Sequence, residues 1–312
     1  MSTFAFVFPG QGSQAVGMLN AWGDHAAVRQ TLEEASAALG EDVARLIADG
    51  PKEALDLTTN TQPVMLVAGI ACYRAWRAEG GAAPALLAGH SLGEYTALVA
   101  AGALSLADAL PLVRFRAQAM QEAVPVGTGG MAAILGMDAD EVRRHCAEVA
   151  SASGEVVEAV NFNDPKQTVI AGSKAGVEKA CEVLKAAGAK RALPLPVSAP
   201  FHSSLMKPAA ERLRERLAQV NLAAPQIPVV NNIDVAVQVE PGAIREALYR
   251  QAFGPVRWVE CVQALKARGA TRVVECGPGK VLAGMVKRID AEMASAALYD
   301  PATLAEVKEF LA

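Results

Sequence analysis
The chain has 312 residues, enough to bury a large core and close to the size at which one core divides into two. Hydrophobic residues make up 52% and charged residues 20%, which argues against disorder, and a net charge of −4 with no run of like charges argues against a nucleic-acid partner. Five scattered cysteines (Cys72, Cys146, Cys181, Cys261, Cys276) form no C-x-x-C pair, so structural thiols in a reducing compartment are expected, without a zinc site.

In chain order, Phe4–Phe8 reads as a short buried strand ending at Pro9-Gly10. The start of the chain, Met1 to Phe8, lacks the basic and long apolar regions of a signal peptide, so a cytoplasmic protein is expected. From Val28 to Leu57 the apolar spacing is helical, broken at Gly40 and Gly50-Pro51. Thr61-Gln62-Pro63 opens another helix, with proline in its first turn, running to about Arg77. Ala85–Ala88 suits a buried strand, Leu92–Ala101 a helix, and Ser105–Ala123 one or two more helices carrying Arg114 and Arg116. Ala82–Leu106 is the most apolar stretch, but His90, Ser91 and Glu94 interrupt it, so no membrane span is expected.

The rhythm changes between Met131 and Pro194. Met131–Leu135 is strand-like, and Asp138 with Glu141 resembles a capping box for a helix to about Ala150. Glu155–Val160 and Thr168–Ala171 are β-rich, separated by the turn-forming Asn161-Phe162-Asn163-Asp164-Pro165. Ser173 caps a helix that Gly188 ends, and Arg191–Leu195 is a last strand. The order βαββαβ is the ferredoxin-like unit, which predicts a small subdomain over 128–197 inserted into a larger α/β unit made of 1–127 and 198–312. Val229-Val230 and Val273-Val274-Glu275 supply further buried strands to the larger unit.

Gly89-His90-Ser91-Leu92-Gly93 carries the chemistry. A strand, a Gly-x-Ser-x-Gly turn and a helix are the context of a nucleophile elbow, in which tight-turning glycines leave the Ser91 hydroxyl exposed at the end of a sheet. The helix behind it turns free N–H groups toward an oxygen that becomes anionic during acyl transfer. A glycine-bounded turn with a serine N-cap is the plainer alternative. Of the four histidines, His90 should point away from the serine, His145 lies on a charged helix face, and His25 sits in a polar stretch. His202, in the Pro-broken apolar loop Val197–Ser203, is the candidate base, although a lone histidine is more often a structural hydrogen-bonder.

Gly10-Gln11-Gly12 can be read as a weak dinucleotide fingerprint or as a donor loop whose Gln11 N–H, with that of Leu92, forms an oxyanion hole. Gly277-Pro278-Gly279-Lys280 fails as a phosphate loop, because Val274 stands where its first glycine belongs. Arg116 is either a surface arginine lying along its helix or a bidentate clamp for a carboxylate, a task its planar fork suits.

These segments together resemble the malonyl-CoA:acyl-carrier-protein transacylase family. The likeness rests on the order of Phe8-Pro9-Gly10-Gln11-Gly12-Ser13-Gln14, Thr61-Gln62-Pro63, Gly89–Tyr95, Arg116 with Met120-Gln121, and Asn161 with Gln167. It continues through Phe201-His202-Ser203, Asn231-Asn232, Gln251 and Gly277-Pro278-Gly279. One departure is Ala117, where glycine is common after the arginine. The resemblance implies a hydrolase-like parallel-sheet domain with the ferredoxin-like insertion. It implies Ser91 as nucleophile, His202 as base, and Gln11 and Leu92 as oxyanion donors. A backbone carbonyl near Gln251 would orient the histidine. Arg116 would hold the malonyl carboxylate, with Gln62, Asn161 and Phe201 also contacting substrate. Phe201 before the histidine resembles the malonyl-selective rather than the methylmalonyl-selective version.

The implied partners are malonyl-CoA and an acidic, phosphopantetheinylated acyl carrier protein, with no permanent cofactor, no metal, no nucleic acid, no membrane and a monomeric enzyme. An acidic carrier calls for a local basic patch, for which Lys190, Arg191, Lys287 and Arg288 are candidates. The rivals are a serine thioesterase or esterase using the same elbow, and a catalytically silent docking module. Against the first, 110 residues follow His202, whereas such hydrolases place His near the end.

Overall fold
A computed structural model of the chain describes residues 3–197 and 199–312; Met1, Ser2 and the expected boundary residue Ser198 lie outside them. Five strands form a parallel sheet: β1 (Phe4–Phe8), β2 (Leu86–Gly89), β7 (Val229–Val230), β8 (Arg272–Cys276) and β9 (Ala294–Leu298). Their order is β7-β2-β1-β8-β9. Both faces are covered, as a parallel sheet requires. Phe4, Phe6 and Phe8 of β1 pack with the helix Thr58–Ala78 in one apolar cluster, and Ala5 and Val7 pack on the other face with Trp258, Val262 and Leu265. β1 pairs with β2 on one side and β8 on the other. The chain direction across the sheet reverses there, and such a switch point opens a crevice beyond the strands' carboxyl ends.

Between Gly129 and Pro194 the chain builds a four-stranded antiparallel sheet from β3 (Gly129–Leu135), β4 (Val157–Asp164), β5 (Gln167–Ser173) and β6 (Arg191–Pro194), in the order β4-β5-β3-β6. Helices Ala139–Ser153 and Lys174–Ala186 share an apolar cluster with it. The fold is therefore α/β, a parallel sheet with a small ferredoxin-like antiparallel sheet. The antiparallel sheet joins the larger unit through β4 and the connection after the helix Pro241–Phe253, where Val256 N–H donates to Val160 O at 2.8 Å and Phe162 N–H donates to Val256 O at 2.9 Å.

Several local expectations change. The segment Asn161–Asp164 is not a turn but the end of β4, and only Pro165 and Lys166 separate it from β5. Two register shifts absorb the irregularity, and its polar side chains have distant partners: Asn163 meets His90 and Asp164 meets Arg288. Ser173 does cap its helix, accepting from Gly176 N–H at 3.1 Å. Asp138 makes no cap hydrogen bond, because its carboxylate pairs with Lys166 Nζ at 2.8 Å. Ser105–Ala123 holds one helix, Leu106–Glu122. Pro63 lies in the second turn of a helix that already starts at Thr58, not in its first.

Candidate active site
At the carboxyl end of β2 the chain turns through Ser91, whose φ of 52° is the left-handed conformation of a tight elbow. Both flanking glycines are sterically required. A Cβ on Gly89 would lie 1.9 Å from Gly93 C, and one on Gly93 would lie 2.0 Å from Phe8 O. Asn232 pins the turn from the neighbouring loop: its Oδ1 accepts from Ser91 N–H at 2.8 Å, and its Nδ2 donates to Gly89 O at 2.7 Å.

Ser91 Oγ lies 2.7 Å from His202 Nε2, and His202 Nδ1 lies 2.9 Å from Gln251 O. A carbonyl can only accept, so Nδ1 carries the proton and Nε2 presents a lone pair to the serine. Gln251 sits in the last turn of the helix Pro241–Phe253, where carbonyls lack intrahelical partners and the dipole is negative. Its carbonyl occupies the place beside Nδ1 where a carboxylate could also accept. Burial, followed by the nearby Arg116 charge, holds the His202 imidazole down at about 3.

Arg116, 1% exposed, reaches in from the helix Leu106–Glu122. It donates to Gln62 Oε1 at 2.7 Å, Gln251 Oε1 at 3.1 Å and Ser91 Oγ at 3.2 Å, with the Tyr95 ring centroid 5.4 Å from Cζ. Its Nε has no partner among the described residues. A fully buried guanidinium with a spare donor, held beside a hydroxyl, can receive an anion. It is not a surface residue.

A cavity of about 770 Å³ opens over this cluster. Its lining includes Ser91, His202, Arg116, Gln62, Asn161 and Phe201, together with Gln11 and Leu92. The backbone N–H groups of Gln11 and Leu92 have no acceptor among the described residues, the condition for an oxyanion hole. Asn161 Oδ1, buried, also lacks a partner there. Gln251 stands behind the cavity wall. Of the nine expected site residues, the structure brings eight to one cavity and the ninth into contact with three of them.

His90 points away as expected, with Nε2 2.8 Å from Asn163 Oδ1 and its ring against Trp258, and burial lowers its basicity. His145 pairs with Glu148 on the surface and His25 with Glu79. The dinucleotide reading of Gly10-Gln11-Gly12 fails, since among the described residues no α-helix starts before Ala26. The basic candidates do not form one cluster. Arg288 is tied to Asp164 at 2.7 Å on the helix Val281–Ile289, which also carries Lys287, whereas Lys190 and Arg191 lie by the edge strand β6 near Gly136. Sequence reasoning gave no role to Glu94, to Asn232 or to the side chain of Gln251. The apolar setting of Glu94 at the elbow was the one available signal. Among the described residues, no group of three or more His, Cys, Asp or Glu could hold a metal, and no helix is long and apolar enough to cross a membrane.

Comparison with known proteins agrees with this geometry. The acyl transferase domain family matches residues 5–304. The malonyl CoA-acyl carrier protein transacylase of Escherichia coli K12 is 53% identical over 310 residues, 99% of this chain and 100% of that protein. An acyl-carrier-protein S-malonyltransferase from Burkholderia pseudomallei 1710b superposes with a TM-score of 0.97 at 69% identity, covering 98% of this chain and 99% of that one. A malonyl-transacylase solved in complex with its type II PKS acyl-carrier protein gives 0.97 at 50% identity, covering 99% and 100%. Matched over nearly its whole length by relatives of one kind, the chain belongs to the malonyl CoA-acyl carrier protein transacylase family.

Proposed function
We propose that this chain transfers the malonyl group of malonyl-CoA to the phosphopantetheine thiol of an acyl carrier protein through malonyl-Ser91. The observation that carries this reading is the placement of one hydroxyl, Ser91 Oγ, between His202 Nε2 at 2.7 Å and Arg116 Nη2 at 3.2 Å. A nucleophile with its base and a buried carboxylate receptor suit an acyl thioester that ends in a carboxylate. The malonyl carboxylate takes the guanidinium donors, and the thioester carbonyl oxygen faces the N–H groups of Gln11 and Leu92.

His202 Nε2 then accepts the Ser91 proton as Oγ attacks the thioester carbon. The tetrahedral intermediate collapses with cleavage of the C–S bond, and the departing CoA sulfur takes the proton back from His202. In the second half, the pantetheine thiol gives its proton to His202 and attacks the acyl-serine, and Ser91 leaves with that proton. No permanent cofactor enters either half. Burial is the main cause that holds His202 down and the Arg116 charge the next, so pairing Arg116 with the malonyl carboxylate eases the smaller of the two and returns only part of the basicity of the base. A neutral acyl group does not.

The chain divides into a catalytic unit, 1–127 and 198–312, with a ferredoxin-like insertion over 128–197 that contributes Asn161 to the cavity. Five buried free cysteines favour a reducing, cytoplasmic setting. The test separates the half-reactions: enzyme malonylated and freed of CoA is mixed with phosphopantetheinylated carrier protein. Malonyl-carrier product supports the transfer. Free malonate alone would support the thioesterase reading instead.

A further inference from the structure
Glu94 follows the elbow on the helix Gly93–Ala100, is 2% exposed, and plays no part in the cycle above. Its Oε2 accepts from Asn232 N–H at 2.9 Å and from Gln251 Nε2 at 3.0 Å. The other end of the same amide, Gln251 Oε1, accepts from Arg116 at 3.1 Å, and Nε2 also donates to Ser91 O at 3.0 Å. One amide thus spans a buried carboxyl and the buried guanidinium.

Resting on the carboxylate role of Arg116, we propose that Glu94 is a positioning residue that balances the charge of the acyl site, taking up a proton when a carboxylated acyl group binds. While Glu94 is ionised, it and Arg116 are a neutral pair across Gln251. An incoming carboxylate would leave that low-dielectric site with one net negative charge, which is costly. Protonating Glu94 removes the excess and leaves Oε2 free to keep accepting both N–H groups. The carboxyl is poised for this, since burial pushes it up to about 7. A second void of about 10 Å³, lined by Glu94, Asn231 and the half-buried Gln238, shares no residue with the substrate cavity.

The charged and titratable groups around Glu94 do not compete with it near neutral pH. Arg116 stays cationic, Tyr95 is pushed up to about 12, Cys261 is pushed up beyond reach, and His202 is held at about 3. Buried His90 is lowered, and Asp234 is kept ionised by Arg250 at 2.6 Å.

Calorimetric binding of malonyl-CoA and acetyl-CoA to Ser91→Ala protein, from pH 6 to pH 8.5 in buffers of different ionisation enthalpy, tests the proposal. Malonyl-CoA should take up about three quarters of a proton near pH 7.5, since Glu94 at about 7 is already partly protonated there, and its preference over acetyl-CoA should weaken as pH rises, with a limit of about tenfold per pH unit. Adding Glu94→Gln keeps an acceptor oxygen but removes the titration, so uptake should vanish and the preference become flat. A malonyl preference that is already flat, without proton uptake, overturns the role of Glu94 and leaves Arg116 standing. No malonyl preference at any pH overturns the carboxylate role of Arg116 itself.

Discussion

Arg116→Ala separates a transacylase for carboxylated thioesters from a general acyl enzyme. The guanidinium is 1% exposed and is held by Gln62, Gln251 and Ser91, so a malonyl carboxylate entering the cavity meets a fixed, buried cation. Removing one partner of a buried, hydrogen-bonded charge pair costs about 2–5 kcal/mol, mostly because the other charge is stranded. At about 1.4 kcal/mol per tenfold, malonyl transfer should fall roughly 30- to 4,000-fold. Acetyl transfer escapes that loss. It should hold level or rise slightly, because His202, still held down mainly by burial, recovers the part of its basicity that the Arg116 charge removes. Arg116→Lys should recover only part of the malonyl rate, since a single ammonium cannot serve Gln62, Gln251 and a carboxylate in one plane. The assay is single-turnover acylation with both thioesters, and the malonyl-to-acetyl ratio cancels any general loss of stability. An equal fall for both would make Arg116 a structural residue and refute the reasoning.

His202→Ala should slow acylation by about 10²–10⁴-fold with malonyl-CoA affinity nearly unchanged; wild-type acylation in rapid quench would assign the base elsewhere. Gln251→Ala retains the carbonyl that orients His202 but removes the amide between Arg116 and Glu94. It should therefore cost malonyl transfer more than acetyl transfer while staying milder than His202→Ala, and equal damage in the two variants would contradict this. Glu275 on β8 accepts from Ala283 N–H at 2.8 Å, and burial raises its carboxyl from 4.5 to about 7. A folded pKa above the unfolded one gives stability that is fully present below about 4.5 and lost as pH rises through about 7. Relative to Glu275→Gln, the wild type should thus lose up to about 3 kcal/mol between pH 4.5 and pH 8, and denaturant midpoints that run parallel across that range would refute it.

The elbow was legible because its glycines are demanded by contacts a few residues apart or across one strand pair, and such constraints leave a pattern in the sequence. His202 was legible by elimination among four histidines. The support behind them was not. Asn232 bonds Glu94 across 138 residues and Gln251 bonds it across 157, and polar residues that pair only in three dimensions leave no periodicity. The Asn161–Asp164 run looked like a turn because its residues favour turns, yet tertiary hydrogen bonds to His90 and Arg288 held it extended. β9, Ala-Ser-Ala-Ala-Leu, went unseen because it has no β-branched or aromatic residue, and its pairing with β8 alone makes it a strand.

The most direct measurement of the central claim is the intact mass of the protein after brief exposure to malonyl-CoA, followed by peptide mapping. One malonyl adduct is expected, on Ser91, that forms in wild type, disappears in Ser91→Ala protein of unchanged fold, and is discharged by phosphopantetheinylated carrier protein. A malonyl adduct on any other residue, or one that persists in Ser91→Ala, would contradict it.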